Sequence, residues 1–382
     1  MIKSIRIENF KSLRYVDVEL TPLTVLIGRS GTGKSNFVDA LAFFRDCLVS
    51  GETIANRWGS AQRFFCATAP RENAKLPRII FTVRFDAPGH DSEFRYMLQL
   101  VVNGDRVFVF SEDLWYGGVE VFARSENKWV KEPAVIPLPA PNQLALQTAN
   151  GIPEVSTAYF VLTEGLGCYG FQGTVLQPAP HNNRNQGNSG LADDASNYLQ
   201  VFLDISRNLQ DVESLKQIFA AMRQLSPALK TIQVVMPQRD KVTVSMSAGD
   251  KILTLELSQQ SEGFRRYLAH LIAIYQFPPK QLLIFDEPEK GLYPGALSAL
   301  AEQFRSCPSA GRGQVILTTH NPALLDHFQP EEIRVVDLDR LETRIGPVST
   351  PQVEAVREQL MTTGELLTVD PARFESPSGE PT

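Results

Sequence analysis

Long apolar runs are what this sequence most clearly lacks. Nowhere do about eighteen apolar residues follow one another, the least a membrane-crossing helix needs, so insertion into a bilayer is not expected. The amino-terminal run MIKSIRIENFKSL alternates apolar and polar residues and has no apolar core of the kind a secretory leader carries; it reads as a half-buried strand. Cysteine is scarce. The four present, Cys47, Cys66, Cys168 and Cys307, are scattered without CxxC spacing or any pairing logic, and read as reduced, mostly buried thiols of a cytoplasmic protein. Excess positive charge is missing too: the formal net charge is −6, so the surface as a whole is no sink for polyanions and only a local basic groove stays open. There is no internal repeat and no heptad stretch long enough for coiled-coil arms.

Hydrophobic residues at 43% and charged residues at 21% are the mix of a globular chain that can bury sizeable cores, and 382 residues suffice for two or three lobes, with room for one to be discontinuous. Residues 2–9, 16–20 and 23–27 read as short strands, the last an apolar run of the sort buried inside a sheet. A glycine-rich turn follows, then a helix over 34–49 with Phe37, Ala40, Leu41, Phe44 and Leu48 on one face. From residue 78 to about 130 the period changes to two, and RIIFTVRFDA, EFRYMLQLVV, RVFVFSEDLW and VEVFARSENKWV predict an antiparallel meander. Helical signals return from Gln143, and the polar stretch 177–190 reads as a mobile surface loop. Residues 193–229 predict helices, followed by the strands TIQVVM, KVTVSMS and ILTLELS. The last region alternates strands and helices, QLLIFDEP, QVILTTH and EIRVVDLD being the strands, which predicts a parallel sheet with nucleotide at the carboxyl ends of its strands. The tail after Asp370 reads as frayed.

Residues 28–35 read GRSGTGKS, which satisfies GxxxxGK[ST] between an apolar strand and an amphipathic helix. Glycines at 28, 31 and 33 let the backbone wrap an anion so that amide groups and the helix start point at it. Lys34 is expected on the β- and γ-phosphates and the Ser35 hydroxyl on Mg²⁺, with Arg29, Ser30, Thr32 and Asn36 completing the cradle. A mere glycine-rich turn leaves Ser35 and the second motif unexplained. That second motif is LLIFDEP, an apolar strand ending in two acids: Asp286 reaches the metal and Glu287 polarises the attacking water. Adjacent acids at a strand end can also be solvated turn residues, but the P-loop upstream favours chemistry. His320 ends the next apolar run, VILTTH, and is read as a γ-phosphate contact. His90, His181, His270 and His327 have no such setting.

P-loop, D-E-P and histidine in this order resemble the ABC-ATPase head, and within that class the AAA-type ABC-like ATPases related to OLD-family proteins, with RecF and SMC heads as more distant relatives. The residues that carry the resemblance are IRIENFKS at 5–12, GKSN at 33–36, DASN at 194–197, SEG at 261–263, THNP at 319–322 and GEL at 364–366. It implies an α/β P-loop NTPase fold with a mixed sheet, an antiparallel β subdomain and an inserted helical lobe. It also implies ATP and Mg²⁺ as ligands, and Ser261 and Gly263 as donors to a γ-phosphate held by a second protomer. The signature itself is reduced to QSEGF. Ala195 replaces the glycine of DGSN, which costs that turn freedom of φ. No Q-loop glutamine is secure, Gln147 and Gln62 being weak candidates. VVDLD at 335–339 superficially resembles a Toprim strand and DxD, but the stretch that follows is too short for such a fold.

The expected organisation is an amino-terminal ATPase lobe over 1–175, a helical insertion over 176–235, a carboxy-terminal ATPase lobe over 236–350 and a helix with tail over 351–382. The expected function is an ATP-hydrolysing dimeric switch in which two protomers sandwich ATP, serving as sensor or regulator of a bacterial defence or genome-maintenance system with a separate effector, perhaps a nuclease. A DNA-repair ATPase of RecF/SMC type acting directly on DNA is the alternative, for which Arg265 and Arg266 are the only support; a solvated helix face accounts for them better. A transporter subunit is weaker still, given the reduced signature and the meander.

Overall fold

A computed structural model of the chain describes residues 1–50, 58, 63–69, 78–103, 106–133, 137–148, 151–171, 175–176, 190–208, 212–235 and 241–374. Strand β1 (Ile2–Phe10) turns through Lys11, held at φ +49°, into the antiparallel β2 (Leu13–Glu19). β3 (Leu23–Ile27) is buried at every residue, as its unbroken apolar run requires, and α1 (Lys34–Ser50) follows the glycine turn. The meander comprises β4 (Ile79–Phe85), β5 (Phe94–Asn103), β6 (Arg106–Tyr116), β7 (Val119–Ser125) and β8 (Lys128–Lys131). The run VEVFARSENKWV is thus two strands rather than one, because Glu126 and Asn127 both take positive φ and close a tight hairpin. With β1 and β2 these form a seven-stranded antiparallel sheet ordered β2-β1-β4-β5-β6-β7-β8.

Short helices α2 (Ala145–Thr148) and α3 (Pro153–Leu162) then lead into β9 (Leu166–Tyr169), which the sequence pattern does not predict. Beyond it come α4 (Tyr198–Arg207) and α5 (Val212–Leu225), and a three-stranded antiparallel sheet of β10 (Leu229–Val234), β11 (Val242–Ala248) and β12 (Lys251–Glu256). The lobe boundary expected at 235/236 falls inside this sheet. Helix α6 (Glu262–Tyr275), β13 (Leu282–Asp286), α7 (Leu297–Ser309), β14 (Gln314–Thr318), α8 (Pro322–Leu325), β15 (Ile333–Asp339), β16 (Glu342–Pro347), α9 (Thr350–Arg357) and α10 (Glu365–Thr368) complete the described chain.

The central sheet has the order β16-β15-β3-β14-β13-β9; all neighbours pair in parallel except the edge strand β16. Both of its faces are covered. Along β13, Leu282 and Ile284 enter the core shared with α1 and the seven-stranded sheet, while Leu283 and Phe285 enter the core shared with α4 to α7. One polar side chain ties the two large sheets together: buried Gln314 accepts from the Ile2 amide at 3.0 Å and donates to the carbonyls of Ile2 and Thr21 at 2.9 and 2.8 Å.

Two expectations change here. Arg265 and Arg266 do not face solvent: both are buried, Arg265 donating to the Val175 carbonyl at 2.8 Å and Arg266 to the Phe171 carbonyl and to Glu262. They satisfy backbone carbonyls past the end of β9, so neither a solvated face nor a DNA contact describes them. The chain after Asp370 is not frayed as far as Phe374. Ala372 donates to the Leu366 carbonyl at 2.8 Å and Ser349 to the Arg373 carbonyl at 2.7 Å. Most of the expected surface loop, residues 177–189, and with it His181, lies outside the described residues, as do Gln62 and residues 375–382. The four cysteines are buried and none is in a disulfide.

Candidate active site

The turn from β3 to α1 closes on itself at the carboxyl end of the central sheet. A side-chain carbon at Gly28 would lie 2.1 Å from the Val336 carbonyl oxygen, and one at Gly33 would lie 2.0 Å from the Thr343 hydroxyl. Both glycines also have positive φ, +156° and +107°. No larger residue fits either place. Behind the turn a chain of hydroxyls fixes it: Thr343 donates to the Thr32 carbonyl at 2.8 Å and lies 2.6 Å from the Ser12 hydroxyl, which also accepts from the Asn36 amide at 2.7 Å.

In front of the turn is a cavity of about 720 Å³, a size that suits one nucleotide. Every residue from 28 to 36 lines it except Thr32, which points backward and donates to the Arg29 carbonyl at 3.0 Å; Glu287 and His320 line it as well. Lys34 is buried and folds across the loop, its ammonium donating to the carbonyls of Gly28 and Arg29 at 2.7 and 3.0 Å. Burial lowers its pKa, against the pull of Glu287, Asp286 and Glu289.

The parallel register of β13 and β14 sets Asp286 beside Thr318, whose hydroxyl donates to Asp286 at 2.6 Å. Asp286 also lies 3.5 Å from the Ser35 hydroxyl, across the sheet from the cradle. Glu287 sits at φ +50°, strain of the kind met at functional sites, and its amide is held by Thr318 Oγ1 at 3.0 Å. Its carboxylate is gripped on both oxygens, by His320 Nδ1 at 2.8 Å and by Lys290. Burial alone would raise its pKa; Lys290 and His320 outweigh that and hold it below the usual range. Three of the sequence motifs thus meet in one cleft.

Three features escape the sequence reading. Glu289 is buried, accepts from the Thr319 hydroxyl at 2.7 Å and from the His320 amide at 3.4 Å, and so joins the acid loop to the histidine loop; its place as the last acid of the DEPE run is its only sequence signal. β9 ends beside the acids, where a carbon added to Gly170 would lie 3.7 Å from Asp286 Cβ. Gln147 is therefore no Q-loop residue: its amide donates to the Leu48 carbonyl at 2.6 Å, in the other core. Leu366, Leu367, Pro371, Ala372 and Arg373, near the carboxy-terminus, also line the cavity. Ser261 and Gly263 do not. Ser261 is exposed and caps α6, accepting from the Phe264 amide at 3.3 Å, and Gly263 faces the Gly291 carbonyl. Ala195 adopts φ +56°, the strain its substitution for glycine implies. The VVDLD run is β15 of the central sheet.

A parallel sheet with a glycine cradle after β3, paired acids after β13 and a histidine after the strand between them defines a P-loop ATPase of the ABC type. Residues 180–326 match the family model described as "AAA domain, putative AbiEii toxin, Type IV TA system", and residues 1–66 match that described as "AAA ATPase domain". No curated protein matches the sequence. Among solved structures, an SMC head bound to the C-winged helix domain of ScpA is 15% identical, with 92% of this chain and 99% of that one covered and a TM-score of 0.59. The Smc head with an extended coiled coil bound to the C-terminal domain of ScpA from Pyrococcus furiosus gives 14%, 94%, 99% and 0.56. The SMC head domain from Thermotoga maritima gives 14%, 91%, 99% and 0.50. At such identities the likeness to these heads is one of fold. Together with the two family matches, which cover parts of the chain, it supports an ATP-hydrolysing AAA-type ATPase on an SMC-head-like P-loop fold.

Proposed function

We propose that the chain is a nucleotide-dependent dimeric switch that hydrolyses ATP and regulates a separate effector. The observation that carries this reading is the place of the signature: Ser261 is exposed at the start of α6 and outside the cavity, so a second copy must bring it to the phosphates. Residues 28–36 would hold the phosphates, Lys34 exchanging the carbonyls of Gly28 and Arg29 for phosphate oxygens, which restores the charge that burial opposes. Glu287 would accept a hydrogen bond from the attacking water while His320 orients it and meets the γ-phosphate. Mg²⁺ is commonly held by one or two carboxylates and by phosphate oxygens, and Asp286 lies beside the Ser35 hydroxyl. Ser35 and Asp286 would hold it, and it would neutralise phosphate charge.

Glu287→Gln tests the switch, because it should keep ATP binding while stopping turnover. Light scattering in saturating ATP is expected to show a dimer; a monomer would sink the sandwich. The effector system we favour is defence, supported by the toxin–antitoxin description of the matched family and by the OLD-like landmarks. The lobe divisions at 175 and 350 stay part of this reading, whereas one at 235 would part β10 from β11 and β12. Direct action on DNA loses its sequence support with the burial of Arg265 and Arg266, and stimulation of the purified ATPase by duplex DNA would restore it.

A further inference from the structure

The cavity in front of the phosphate loop has a wall that the nucleotide motifs do not explain. It is formed in part by Leu366, Leu367, Pro371, Ala372 and Arg373, and Asp337 lines the cavity as well. This segment is built in place. Gln352, itself buried, donates to the Asp370 carboxylate at 2.8 Å and to the Pro371 carbonyl at 3.3 Å, and accepts from the Arg373 amide at 2.9 Å. Thr363 and Gly364 fasten the start of the segment to α8, donating to the Leu325 carbonyl at 2.9 Å and to the Asp326 carboxylate at 2.6 Å. Phe374 closes it against Gly346. The Arg373 side chain, 72% exposed, stands at the rim with one nitrogen on Asp370 at 2.6 Å.

The phosphates have their partners in residues 28–36, so the remaining wall must meet the remaining part of the ligand. Aliphatic side chains beside one planar guanidinium are suited to a purine, whose faces are apolar and on which arginine stacks. We infer that residues 366–373 form the nucleoside wall of this site, with Arg373 against the base and Gln352 as the positioning residue that holds the wall to α9. The inference rests on the nucleotide reading above and adds to it the chain's own carboxy-terminal segment as a binding element.

Titrating the full chain with ATP and, separately, with inorganic tripolyphosphate tests it. Arg373→Ala should weaken ATP about tenfold and leave tripolyphosphate within about twofold, with Arg373→Lys recovering part of the loss. Hydrogen exchange on the unaltered protein should show residues 366–373 protected by ATP and not by tripolyphosphate, a readout independent of how the variants fold. Gln352→Ala should abolish that protection. ATP binding unchanged in Arg373→Ala overturns the inference, and so does an equal loss of both ligands, which would place Arg373 on phosphate. Lys34→Ala separates the two readings: it should lose both ligands, and if it binds both normally the nucleotide reading itself fails.

Discussion

Glu287 shows how little freedom a reacting carboxylate has in this cleft. With His320 on one oxygen and Lys290 on the other, half of the carboxylate's accepting capacity is taken and the lysine offsets its charge, which weakens it as a base. Lys290 is about half exposed, the easier of the two to displace. Lys290→Ala should therefore raise steady-state ATP turnover, by roughly threefold, whereas His320→Ala should lower it about a hundredfold. If Lys290→Ala is as slow as His320→Ala, the lysine belongs to the machinery. A second residue, His270, does its work by staying neutral. It is packed among Phe171, Phe285 and Phe304, and burial pulls its pKa down to about 4. The unfolded chain takes up that proton near pH 6.5, so the contribution to stability is complete above 6.5 and is lost as the pH falls toward 4. Urea unfolding at pH 7.5 and 4.5 should show His270→Phe losing less stability on acidification than the natural chain, the difference being on the order of 3 kcal/mol.

At the scale of elements, the start of α6 carries two roles that one substitution can part. Ser261→Asp keeps a helix cap, since aspartate caps as well as serine and suits the positive end of the helix. It cannot donate to a phosphate and repels one. The melting temperature should be unchanged and turnover should fall about a hundredfold; full turnover would leave Ser261 as a cap alone. The elements that sequence revealed were those whose period or apolar run is long enough to read: β3, β13 and β14 with their acids and histidine, the meander, and α1. β9 and β16 were hidden because LGCY and ETRIGP are short and carry glycine, and they become strands only by pairing with β13 and β15. The arginines of α6 misled because charge usually marks a wet face. Here the helix is buried from Phe264 to Tyr275 and its cations are spent on carbonyls of another segment. Of the proposed nucleoside wall only Leu366 falls in a landmark, the GEL at 364–366; Leu367 and residues 371–373 look like tail, since aliphatic residues near a chain end carry no pattern.

For the whole molecule, Gln314 decides whether two sheets unfold as one. Gln314→Leu would leave the Ile2 amide and the carbonyls of Ile2 and Thr21 without the partner seen here. The expected cost is about 2–4 kcal/mol, read as a lower urea midpoint; an unchanged midpoint would mean that apolar packing and the other polar ties, such as Thr343 with Ser12, hold the sheets without Gln314. The phosphate loop itself is asymmetric in what surrounds it. Behind it, the Val336 carbonyl, Thr343 and Ser12 leave no slack; ahead lie a buried lysine that can let go of two carbonyls and a segment hung on Gln352. Under the proposed switch, loss of the terminal phosphate would therefore be felt on the front side alone, by Lys34 and the carboxy-terminal segment, at the mouth of the cavity where a second copy or an effector would sense it.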